Sequence, residues 1–126
     1  VYPRVDDEAT IIVTYPKAQG IIQASWNWPY NRKDIEVYGK SGYIFADRDA
    51  IRFLETGAKE VKRQAVPNRA VPLDDPFRFL EAVVRGKILL EKHDLSGLPV
   101  NMVAMEILDA AKKSASSGKV VYLGKK

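Results

Sequence analysis

The stretch Glu8-Ala9-Thr10-Ile11-Ile12-Val13-Thr14-Tyr15, followed by Pro16-Lys17-Ala18-Gln19-Gly20 and Ile21-Ile22-Gln23-Ala24-Ser25-Trp26-Asn27-Trp28, decides the fold class. In its first part Ala9, Ile11, Val13 and Tyr15 alternate with Thr10, Ile12 and Thr14, a period of two rich in β-branched side chains, which predicts a strand over residues 8–15. Pro16 removes a ladder donor and Gly20 permits positive φ, so the chain is expected to reverse between Tyr15 and Gly20 into a second strand over 21–28. The result is an antiparallel hairpin. On its second strand Ile22, Ala24, Trp26 and Trp28 share one face, and Gln23, Ser25 and Asn27 the other.

The same logic extends along the chain. A third strand over 34–38 meets Gly39-Lys40-Ser41-Gly42 and returns over 43–46, a second hairpin signal. Residues 50–55 and 60–65 add two shorter strands, the latter polar enough for a sheet edge. Residues 57–73, with Pro67 and Pro72, form a crossing loop or an irregular edge. Asp74-Asp75-Pro76 then opens a helix: an aspartate caps it, and proline fits the first helical position. Its expected buried stripe is Phe77, Leu80, Val83 and Val84, with Gly86 as terminator. A loop over 87–99 holding His93 leads to a second helix over 101–117, whose narrow face is Val103, Ile107, Ala110, Ala111 and Ser114. Gly118 ends it, and a last strand is expected over 120–123. Strands first and helices second predict an α+β fold: a mainly antiparallel, open-faced sheet with about two helices packed on one face, forming a single domain over 1–126.

Composition narrows the function classes. The 126 residues are 46% hydrophobic and 29% charged, as in an ordinary globular domain. No apolar run approaches the roughly 20 residues needed to cross a bilayer, and no signal segment is seen, so a soluble cytoplasmic protein is expected. With no cysteine and one histidine, disulfides, thiolate nucleophiles and the usual zinc ligand sets are excluded. The formal charge is +4, but the basic residues are interleaved with acids, so no nucleic-acid partner is expected. The basic tail from Gly118-Lys119 to Lys125-Lys126 reads as a solvated terminus. The chain begins with Val1 and is almost at once in a strand pattern, which leads us to expect a piece of something longer.

A self-contained catalytic centre is not expected. No G-x-G-x-x-G occurs, and Gly39 and Gly42 lie between two strands, where no helix N-terminus receives a pyrophosphate. There is no P-loop and no G-x-S-x-G elbow. His93 beside Asp94 reads as a solvated loop pair, and Asp6-Asp7-Glu8 matches no calcium loop. No catalytic, cofactor-binding or metal-ligating residue is therefore assigned. The strongest working surface is Trp26-Asn27-Trp28-Pro29-Tyr30-Asn31-Arg32-Lys33, where aromatics, amides and cations crowd the end of a strand and its loop. Two tryptophans left in water forgo several kcal/mol as an upper estimate, so both are expected to be covered. For Trp26 the core is the expected cover; Trp28 faces the core, a domain interface or a ligand pocket, and Arg32 is suited to a hydroxyl or carboxylate group. Trp26, Trp28, Tyr30 and Arg32 are thus the candidate substrate or interface residues.

Asp7-Glu8-Ala9-Thr10, Tyr15-Pro16 to Gly20, Ala24-Ser25-Trp26, Glu36-Val37-Tyr38-Gly39 to Gly42, and Ala104-Met105-Glu106-Ile107-Leu108-Asp109-Ala110-Ala111 to Ser114 with Gly118-Lys119 follow one another along the chain. As an ordered set, covering about Val5 to Leu123, they make this sequence resemble the C-terminal domain of the Gfo/Idh/MocA oxidoreductases, a family that includes glucose-fructose oxidoreductase and inositol dehydrogenase. The resemblance implies a parent enzyme with an N-terminal Rossmann domain for NAD or NADP that oxidises or reduces sugars, polyols and related hydroxy compounds. It implies a C-terminal sheet that helps form the substrate pocket and the subunit interface. The family's glycine fingerprint, Glu-Lys-Pro lysine and Asp-x-x-x-His pair have no counterpart here, so no catalytic residue is carried over and the fragment is expected to bind no cofactor and be inactive alone. An open sheet face predicts a homodimer. The competing reading is a non-catalytic binding module for carbohydrate or nucleic acid.

Overall fold

The computed structural model describes Val5 and residues 7–124. The opening stretch forms β1 (Glu8–Tyr15) and β2 (Ala18–Ser25), a two-stranded antiparallel sheet. Ile11 and Val13 are half-buried and Ile12 between them is exposed, so the period of two survives in the folded strand. The reversal is tighter than the sequence suggests: Pro16 and Lys17 alone make the turn. Gly20 consequently falls within β2, without positive φ. The same shift ends the strand early. Trp26 donates its backbone N–H to Asp7 O at 2.9 Å, the last tie across the hairpin, and Ser25 Oγ then takes the N–H of Asn27 at 3.0 Å. A serine oxygen competing for the backbone in this way bends the chain out of the ladder. Trp26 and Trp28 therefore lie beyond the strand on which they were expected.

The second sheet has four strands, β3 (Ile35–Gly39), β4 (Gly42–Ala46), β5 (Ala50–Glu55) and β6 (Lys62–Ala65), antiparallel in that order. Its register is set at two points. Gly42, at φ 143°, closes the β3–β4 hairpin against Gly39, and a Cβ there would lie 2.0 Å from the carbonyl oxygen of Leu54. Only glycine fits that approach. At the β4–β5 corner Asp47 Oδ1 accepts the backbone N–H groups of Asp49 and Ala50, each at 2.9 Å, and Ala50 is fully buried.

Residues paired directly across antiparallel strands share a face. The row Ile35, Ala46, Ile51, Gln64 and the row Val37, Ile44, Phe53, Lys62 therefore lie on one side. The row Glu36, Phe45, Arg52, Arg63 and the row Tyr38, Tyr43, Leu54 lie on the other. One side is apolar over β3 and β4 and turns polar toward β6, where Lys62 bonds Glu55 at 3.4 Å and lies 5.6 Å from the Phe53 ring; its opposite carries rings and charges.

The helices are α1 (Pro76–Val84) and α2 (Leu98–Ser117). Asp75 caps α1, its Oδ1 accepting from Phe77 N at 2.9 Å and Arg78 N at 3.0 Å, with Pro76 in the first turn. Gly86 at φ 70° follows its end. Of the expected stripe Val83 alone is half-buried: Phe77 (79% exposed), Leu80 and Val84 face solvent, and Phe79, half-buried, and Ala82, buried, take their place. Residues 79, 82 and 83 are one helical face, rotated from the expected stripe. α2 starts at Leu98, before the expected 101, because Pro99 fits the first turn. Ile107, Ala110, Ala111 and Ser114 form its half-buried face, as the small-residue pattern predicted; Val103, expected with them, is exposed. Gly118 at φ 65° ends α2, its N–H on Ser114 O at 2.9 Å. Residues 120–123 form no strand. A strand needs a ladder partner, and no described segment supplies one there.

The chain divides into two compact units, residues 7–10 with Ile22–Arg69, and Ile11–Ile21 with 70–124. The α+β class with antiparallel sheets is the one read from the sequence. The burial is not. Among the described residues only Ala50, Ala82 and Gly97 are buried.

Candidate functional site

The loop from Trp26 to Asp34 is built around Arg32. Its Nε donates to Asp34 Oδ2 at 2.8 Å, and its Cζ lies 5.6 Å from the centre of the Trp28 ring, within cation–π range. Asp34 thus fixes the guanidinium on one side and the indole holds it on another. The hydrogen bond that Arg32 donates to Asp34, and then the negative charge of Asp34, hold the Arg32 pKa above its ordinary value. The carboxylate that Arg32 was expected to hold is, in this chain, its own neighbour two positions on. That partner was legible as Arg-x-Asp, a spacing the sequence reading passed over.

Trp28 is half-buried, while Trp26 is 87% exposed and Tyr30 is exposed as well. Among the described residues none provides the expected cover over Trp26: once β2 ends at Ser25, its indole no longer lies on a strand face. The four candidate residues therefore divide into a fixed pair, Trp28 with Arg32, and two uncovered rings, Trp26 and Tyr30. An aromatic face beside a guanidinium donor and a carboxylate acceptor suits a planar, hydroxyl-bearing ligand.

The other sequence candidates resolve locally. Asp94 Oδ1 accepts from Ser96 N at 2.8 Å and Asp94 O from Gly97 N at 2.9 Å, a turn leading into α2, so its carboxylate is occupied beside the exposed His93. Of the acidic run, Asp6 lies outside the described residues, as do Lys125 and Lys126 of the basic tail. Among the described residues no group of three or more His, Asp or Glu side chains is placed to hold a metal ion. A hollow of about 410 Å³ beside α1, lined by Val71, Pro72, Arg78, Ala82 and Ile88 among others, contains none of the four candidate residues.

The sequence reading expects an open sheet face to carry an interface, without naming the residues that make it up. Ile35, Val37 and Ile44 on its apolar side are 61%, 52% and 47% exposed. Adjacent on β3 and β4, they form one contiguous patch flanked by half-buried Ile51 and Phe53. The opposite side is internally satisfied: Arg52 Nη2 bonds Asp47 Oδ2 at 2.8 Å with its Cζ 5.0 Å from the Phe45 ring, and Tyr38 Oη donates to Glu36 Oε2 at 2.7 Å while its ring lies 5.8 Å from that of Tyr43. No helix among the described residues is long and apolar enough to cross a membrane. Comparison with family models, with curated proteins and with solved structures found no match to this chain.

Proposed function

We propose that this chain is the C-terminal, substrate-side domain of a cytoplasmic NAD(P)-dependent oxidoreductase resembling the Gfo/Idh/MocA family. In this reading the parent's Rossmann domain binds the nucleotide and carries the hydride chemistry, and the chain alone is inactive. The parent's substrate is a sugar, polyol or related hydroxy compound. The loop carrying Trp26, Trp28, Tyr30 and Arg32 contributes a wall of the pocket or of the interface, and the open sheet forms a homodimer.

The observation that carries the reading is the uncovered apolar side of the sheet, where Ile35, Val37 and Ile44 stay exposed. A domain whose sheet is finished by another surface is the kind the resemblance implies. Calorimetry with NAD and NADP tests it: the longer gene product binds one of them, and the 126-residue chain binds neither. Micromolar affinity in the chain alone contradicts the proposal, as does a longer product with none.

A second reading draws on Trp26, 87% exposed beside the exposed Tyr30. Such rings are platforms for the apolar face of a carbohydrate, and the loop is then a binding module without chemistry. Tryptophan fluorescence that shifts with simple sugars in the isolated chain, and no longer shifts in Trp26→Ala, favours this second reading.

A further inference from the structure

We propose that β3 is a joining edge, and that two copies of this chain pair antiparallel through Ile35–Gly39 about a two-fold axis at Val37. This rests on the reading that a second copy is the partner, and it specifies the join as edge to edge.

β3 and β6 are the two ends of the four-stranded sheet. Each leaves one row of backbone N–H and C=O groups without a neighbouring strand, and such a row pairs with another chain unless charge, proline or a bulge prevents it. β6 is guarded, since Lys62 and Arg63 are half of its four residues. β3 has no lysine, arginine or proline, and all five of its residues are exposed. Its one charge, Glu36, already accepts the Tyr38 hydroxyl at 2.7 Å. Among the described residues β3 pairs with β4 alone, and no loop or turn bonds to its open side.

The occupant is a second copy because β3 is complementary to itself. A two-fold at Val37 sets Val37 against Val37, Glu36 against Tyr38 and Ile35 against Gly39. No like charges meet. Each Glu36 carboxylate faces the kind of donor it already takes within its own strand, and cross-strand pairs are the unit of sheet stabilisation. Ile35 and Val37 lie on the apolar side, so the apolar surfaces of the two sheets become continuous. On β6 a two-fold at Arg63 would set the Arg63 cations of two copies against each other.

The chain has no cysteine, so single-cysteine variants report one position each. Paired at the axis, the two Val37 Cα atoms lie about 4.5–5.5 Å apart, inside the usual disulfide range. Under mild oxidation Val37→Cys should form covalent dimers at least about tenfold faster than Arg63→Cys on the guarded edge or Ile44→Cys within the apolar side. Circular dichroism confirms that each variant keeps its sheet. A folded Val37→Lys, which sets two lysines against each other, should scatter light as a monomer. Cross-linking of Val37→Cys no faster than Arg63→Cys overturns the inference, as does a Val37→Lys that remains dimeric. If Ile44→Cys links fastest, the sheets stack face to face: the edge join fails and the second-copy reading stands. An unsubstituted chain that scatters at 14.1 kDa throughout overturns both.

Discussion

The two sides of the four-stranded sheet use the same strands and arrive at opposite states. On the charged side Asp47 holds Arg52, Phe45 lies beneath its guanidinium, and Glu36 takes the Tyr38 hydroxyl. Arg63, directly opposite Arg52, adds a like charge to that row, which the Asp47 carboxylate offsets. On the apolar side Ile35, Val37 and Ile44 have no such partners. Polar side chains find partners within hydrogen-bond reach on their own sheet, whereas apolar area is removed from water only when a second layer covers it. The charged side thus ties its strands together, while the apolar side is left exposed.

The comparison can be broken most severely at the residue both sides share. Gly42→Ala places a Cβ against the Leu54 carbonyl at a positive φ, and chemical denaturation should show a loss of about 3 kcal/mol or more as the β3–β4 register yields. On the charged side alone, Arg52→Ala removes an ion pair and a ring contact, and the same measurement should give a loss of about 1 kcal/mol without changing association.

The pH dependence should also belong to the charged side. The N–H groups of Asp49 and Ala50, then Arg52, hold the Asp47 pKa below its ordinary value. Its contribution is therefore present above the ordinary carboxylate pKa and disappears as pH falls through the lowered one. Urea midpoints of Asp47→Asn should lack that acid-side decline. Tyr38 is the mirror case: its hydrogen bond to Glu36, and then the Glu36 charge, raise its pKa, so its contribution holds below the ordinary tyrosine pKa and is lost as pH rises through the raised value. The smallest effect is expected in the loop, where Trp26→Ala should change stability by no more than about 0.5 kcal/mol, because an indole 87% exposed has little packing to lose.

These effects also separate what was legible in the sequence from what was not. Features set by one or two neighbouring residues were readable: the Asp75 cap with Pro76, the αL glycine at 118, the glycines of the β3–β4 hairpin and the bounds of β1 and β5. Features set by burial were readable only in part, as on the Ile107, Ala110, Ala111 and Ser114 face of α2. Phe77 and Trp26 read as covered because large apolar side chains are costly in water, yet what covers a side chain depends on surfaces that periodicity does not encode. Residues 120–123 have strand-forming composition, but a strand exists only with its neighbour. In the candidate loop, Trp28 and Arg32 were singled out by type, while their mutual contact and the role of Asp34 follow from a turn geometry that residue types leave open.

The central claim is the proposal that this sheet associates with a second copy of the chain and does so independently of the ion pair on its charged side. Light scattering across a concentration series, on the unsubstituted chain and on Arg52→Ala, tests it most directly. The account predicts that both approach twice the 14.1 kDa of one chain at the same concentrations. An unsubstituted chain that stays at 14.1 kDa throughout, or an Arg52→Ala variant that alone fails to associate, contradicts it.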